Sequence, residues 1–139
     1  LYEQLPGPKP EFEDVWRLTG GNPRILGELY EVNWAADKVI NELIDSKEIT
    51  PGFVRRWLSH LREAVSDPDY LWFNAPGELV DELVRRNLIL FLLPSRDPDQ
   101  WIDQPPPRKD PELGIGEYVA WQSPLHREAV KRALEWVRL

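Results

Sequence analysis

Five consecutive residues near the start of the chain have the types and order that an anion site needs: Gly20-Gly21-Asn22-Pro23-Arg24. The two glycines can take positive φ and turn the chain. Asn22 has a side-chain oxygen able to cap a helix, and Pro23 fits a first helical turn, where a missing amide hydrogen costs nothing. A helix amino terminus carries unpaired amides and the positive end of the helix dipole, which suits a phosphate group, and Arg24 adds a positive charge beside it. The same five residues equally make a well-capped helix start that needs no ligand.

Two arginine pairs, Arg55-Arg56 and Arg85-Arg86, are further candidates for phosphate or partner contacts. The stretch from Pro51 to Ser66 carries Arg55, Arg56 and Arg62 against Glu63, and the closing segment carries Arg127, Lys131, Arg132 and Arg138 against Glu128 and Glu135. Ordinary ion pairing accounts for both as well as backbone contacts to a nucleic acid would. From Glu78 to Arg86 the balance reverses, with Glu78, Asp81 and Glu82 against Arg85 and Arg86, which disfavours insertion into a DNA groove. His60 and His126 have no companion at metal-ligand spacing, and no serine sits in a Gly-x-Ser-x-Gly setting, so each histidine is expected to be structural or on the surface. Cysteine is absent, which removes disulfides, thiolate nucleophiles and thiolate zinc sites. No glycine-rich stretch ends in Gly-Lys-Ser or Gly-Lys-Thr, and no apolar strand ends in acidic residues to hold magnesium, so no ATP hydrolysis is expected of this chain by itself. Enzyme activity is the poorest of the readings.

The chain that must position these residues is 139 residues long, with 42% hydrophobic residues and a formal charge of −7. That length suits one modest domain or two very small ones, and the negative balance repels polyanions unless local patches override it. Methionine is absent even at position 1 and no signal peptide opens the chain, so a piece of a longer, cytoplasmic polypeptide is expected, with no membrane partner. Arginine over lysine and abundant proline are compatible with a heat-adapted source.

Pro6, Pro8 and Pro10 around Gly7 make residues 1–10 a linker. Phe12, Val15, Trp16 and Leu18 have helical spacing up to the glycine pair; Ile25, Leu26, Leu29 and Tyr30 resume it after Asn22-Pro23. Trp34, Val39, Ile40, Leu43 and Ile44 extend the apolar stripe. Thr50-Pro51 then caps one full helix whose inner face is Phe53, Val54, Trp57, Leu58, Leu61 and Val65, ended by Asp67-Pro68. A helix from Pro76 to Arg86 leads directly into an apolar run, Leu88 to Leu93, of strand length. Residues 94–114 hold six of the fourteen prolines and are expected to be irregular, either a long exposed tip or a disordered segment. Tyr118, Val119 and Trp121 read as a second strand, and Ser123-Pro124 opens the last helix. The seven tryptophans are expected mostly to fill the core. This order predicts a mainly α fold: a helical segment over 11–49, then a winged helix-turn-helix domain over 50–139 with a two-stranded β-hairpin wing and a long proline-rich loop at 94–114.

The run Val15-Trp16-Arg17-Leu18-Thr19-Gly20-Gly21-Asn22-Pro23-Arg24-Ile25-Leu26 resembles the segment that closes the nucleotide-binding domain in archaeal ATPases of the STAND class, relatives of AAA+ proteins. In that family a glycine-asparagine-proline turn starts a lid helix. The sequence from Leu83 to Ile89 feeding the hairpin, and the closing helix after Ser123-Pro124, resemble the winged-helix regulatory domain that follows the lid. The resemblance implies a non-catalytic carboxy-terminal module. ATP and magnesium would be held by an upstream nucleotide-binding domain of the same polypeptide, and Pro23 and Arg24 would sense the nucleotide. A free-standing winged-helix protein that binds DNA or another protein is the alternative, with DNA the weaker partner.

Overall fold

The computed structural model describes residues 12–20, 22–92 and 109–137. Linker residues 1–10 and loop residues 94–108 lie outside them. Eight helices and one small sheet follow in chain order: α1 (Phe12–Thr19), α2 (Pro23–Glu31), α3 (Ala36–Ser46), α4 (Pro51–Arg56), α5 (Leu58–Ser66), α6 (Tyr70–Phe73), α7 (Gly77–Arg85), β1 (Ile89–Phe91), β2 (Val119–Trp121) and α8 (Pro124–Val137). The architecture is thus mainly helical with an antiparallel pair, in which Ile89 faces Trp121, Leu90 faces Ala120 and Phe91 faces Val119. No helix among the described residues is long and apolar enough to cross a membrane.

Helix α8 is the central member. Its inner face buries Leu125, Ala129, Val130, Ala133 and Leu134, and it packs on α1, α3, α4 and α5 as well as on β2. One apolar cluster runs without a break from Ile25 and Leu29, through Val39, Ile40, Leu43 and Ile44, to Leu61, Leu79, Leu83, Val119 and Trp121. The helices before residue 49 and those after it therefore share a core. Arg132 of α8 fastens this packing at the surface with a 2.7 Å ion pair to Asp37 of α3.

Three details differ from the sequence expectation. The single helix from Pro51 to Ser66 is broken at Trp57, where the backbone moves to φ −116°, ψ 24° and the indole N–H donates to Glu82 of α7 at 2.8 Å. The stretch 94–114 is not irregular throughout. Pro111–Leu113 form a 3₁₀ turn, and Ile115 bridges both Asp110 and Ala120, so the end of the loop lies along the free edge of β2. Finally, the tryptophans are not mostly core. Among the described ones Trp57 and Trp121 are buried and Trp34 partly so, whereas Trp16, Trp72 and Trp136 are exposed. Trp72 instead stacks on Tyr118 at 5.6 Å and meets Phe91 edge-on at 5.9 Å, while Phe73 meets Tyr118 at 5.3 Å. This aromatic face shields the hairpin base from water on one side.

The hairpin base is also held by one buried carboxylate. Asp69, just before α6, accepts the amides of Glu117 (2.8 Å), Tyr118 (2.8 Å) and Val119 (3.3 Å) and the Lys109 ammonium (3.1 Å). Burial works against its ionisation, but the Tyr118 and Glu117 amides, Lys109 and the Val119 amide together hold its carboxyl below the usual aspartate value. Gly116 is required here, since a Cβ at that position would lie 2.3 Å from Asp69 Oδ1 and 2.6 Å from the Val119 carbonyl.

Candidate functional site

Asn22 is the pivot of the Gly-Asn-Pro turn. Its Oδ1 accepts the amides of Arg24 (3.0 Å) and Ile25 (3.2 Å), and its Nδ2 donates at 3.2 Å to the carbonyl of Gln122, which precedes α8 with only Ser123 between. Gly20, at φ 58°, sits so close to α8 that an added Cβ would come within 2.9 Å of the Pro124 ring. The turn is therefore a joint between α2 and the start of α8, fastened at two points. Of the two sequence alternatives for Gly20 to Arg24, the capped helix start is the one seen: Asn22 engages the first amides of α2, which are therefore not open to an anion.

Beside this joint lies a cleft of about 400 Å³, lined among others by Arg24, Glu28, Glu42, Lys47, Asn87, Gln122 and His126. Arg24 and Glu28 come from α2, where they form a 3.7 Å ion pair one turn apart. Glu42 belongs to α3, and Lys47 caps the carboxy-terminal end of that helix, where a cation is favoured by the dipole. Asn87 follows α7 at φ 56°, a left-handed position that asparagine tolerates.

His126 forms the inner wall and is only 5% exposed. Its Nδ1 lies 2.7 Å from the hydroxyl of Ser123, and its backbone amide donates to the same oxygen at 3.3 Å. Burial, then the positive charges of Lys47 and Arg24, push its pKa down from 6.5 to about 4, so the ring is neutral near pH 7. The cleft thus offers two cations and a neutral imidazole, balanced by Glu28 and Glu42. That set suits an oxyanion or another polar group rich in acceptors.

The sequence candidates distribute unevenly around it. Arg24 lines the cleft, and Pro23 is exposed next to it without lining it. None of Arg55, Arg56, Arg85 or Arg86 lines it. Arg56 pairs with Glu78 at 3.2 Å and lies over the Trp57 ring; Arg85 and Arg86 both pair with Glu82, at 3.5 and 3.7 Å; Arg86 also stacks on Phe53 at 4.1 Å. Arg55 is exposed. His60 is a packing residue that bonds the Tyr70 hydroxyl at 2.6 Å. Lys47, Asn87 and Gln122 escaped the sequence reading, because nothing in a linear sequence says that the ends of α3, α7 and β2 meet. His126, expected to be structural or on the surface, is buried and hydrogen-bonded to Ser123, and it also lines the cleft. Among the described residues no three histidine, cysteine, aspartate or glutamate side chains converge as a metal site.

Compared with known proteins, the chain matches no family model, no curated protein sequence and no solved structure.

Proposed function

We propose that this chain is a non-catalytic regulatory module of an archaeal-type P-loop ATPase, in which the cleft meets a nucleotide held by a preceding domain of the same polypeptide. In this reading Arg24 and Lys47 face the phosphates with charge, and His126 faces them with a ring N–H. ATP and magnesium chemistry belong to the preceding domain, since this chain has neither a phosphate loop nor a strand ending in magnesium-binding carboxylates. Helices α4 to α8 with the hairpin act as the winged helix, whose packing responds to nucleotide state.

The observation that carries the reading is the joint itself. Gly20 against Pro124 and Asn22 on the Gln122 carbonyl tie α2 to the start of α8, so in this reading a ligand beside Arg24 bears on the helix around which the module is built. Pairing of Arg56, Arg85 and Arg86 with Glu78 and Glu82 leaves a single net positive charge among these five groups, which favours this role over DNA binding.

The test is ATP affinity of the full-length polypeptide carrying Pro23→Ala, Arg24→Ala or Lys47→Ala. Loss of one charge-assisted contact weakens binding by roughly 10- to 100-fold, and Lys47→Ala is expected in that range. Unchanged affinity and turnover in all three variants reject the reading.

A further inference from the structure

We propose that Ser123 is a positioning residue for the cleft: its hydroxyl fixes the tautomer of His126, so that the imidazole always presents Nε2–H to an acceptor oxygen there. Ser123 Oγ already accepts the His126 backbone amide, as a helix cap does, and the hydroxyl has one hydrogen left to give. Ser123 is buried, and among the described residues the nearest partner of that oxygen is His126 Nδ1, at 2.7 Å. If Nδ1 carried the proton, the serine hydrogen would be buried without an acceptor among the described residues. The hydroxyl therefore donates to Nδ1, and the ring proton sits on Nε2. With the Nδ1 edge engaged, the Nε2 edge is the one left for the cleft.

The two cations that face the ring favour a neutral donor. Lys47 and Arg24 disfavour a second positive charge, and Glu28, the nearer carboxylate in sequence to Arg24, is already paired with it; Glu42 is the other acidic wall residue. His126 then selects its ligand by hydrogen bonding, while Lys47 supplies charge. A phosphate oxygen, which only accepts, satisfies both.

The occupant named here rests on the nucleotide reading, but the tautomer does not, and the two are tested apart. In the purified ¹⁵N-labelled chain without ligand at pH 7, long-range ¹H–¹⁵N spectra report which ring nitrogen holds the proton. The expected result is a roughly tenfold or greater excess of the Nε2–H form, retained in Ser123→Thr. Ser123→Asp caps a helix as well as serine does but can only accept, so it draws the proton to Nδ1 or creates the imidazolium. An Nδ1–H ring in the unaltered chain, or a spectrum unmoved by Ser123→Asp, overturns the proposal. Titration with inorganic phosphate then addresses the occupant: a shift of Nε2 supports it, and no shift at saturation of the Lys47 signal overturns the ligand class while the tautomer result stands.

Discussion

Replacing His126 with glutamine should remove one specific dependence of stability on pH, and the size of that dependence follows from the burial of the ring. In the folded chain His126 titrates at about 4, against 6.5 for an ordinary histidine. Between those values the unfolded chain binds a proton that the folded chain refuses, so stability rises with pH across this window and is lost as pH falls from about 6.5 towards 4. The full separation amounts to about 3 kcal/mol, of which about 2.5 kcal/mol is lost by pH 4.5. His126→Gln has no titrating ring. Its deficit against the parent chain at pH 7.5, from the lost Ser123 bond and packing, should shrink by about 2.5 kcal/mol at pH 4.5. Urea unfolding of both proteins at a series of pH values measures this, as a closing of the midpoint gap by about 1–2 M. Taking the difference between the two chains cancels every other titrating group they share. A deficit that stays constant from pH 7.5 to 4.5 refutes the claim that His126 is held neutral by its surroundings.

Asn22→Ala removes both amide caps of α2 and the tie to Gln122, and should cost about 1–2 kcal/mol in chemical denaturation. Gly20→Ala forces a Cβ against Pro124 at a positive φ and should cost at least about 1–3 kcal/mol, with exchange of the first α8 amides accelerated. Asp69→Asn puts a donor where backbone amides need an acceptor. It should destabilise by about 3 kcal/mol and loosen residues 116–119 first, as hydrogen exchange would register. Because the Asp69 carboxyl titrates below the usual aspartate value, its contribution is present above the unfolded value of about 4 and disappears only below it, so it leaves the window used for His126 undisturbed.

The helices were legible because their apolar spacing and caps are local. Asn22 before Pro23 and Thr50 before Pro51 cap where the sequence places them, and the antiparallel pairing of the two short strands follows from the apolar runs on either side of the proline-rich stretch. What failed was set by distant contacts. The break at Trp57 sits where its indole reaches Glu82, twenty-five residues away, and the exposed Trp72 finds Tyr118 and Phe91 across the hairpin rather than the core. One corner of the cleft was visible, since Asn22 and Arg24 belong to the compact Gly20 to Arg24 motif. The rest was hidden: Lys47, Asn87 and His126 lie on separate helix ends that only the tertiary fold brings together.

The proposed response of the cleft wall to nucleotide is open to observation at His126. The most direct measurement is the His126 side-chain ¹⁵N signals of the full-length polypeptide as ADP is added to saturation. The Nε2 signal should shift with the binding curve, and Lys47→Ala should weaken both together. Signals that stay fixed while the nucleotide binds with full affinity would contradict it.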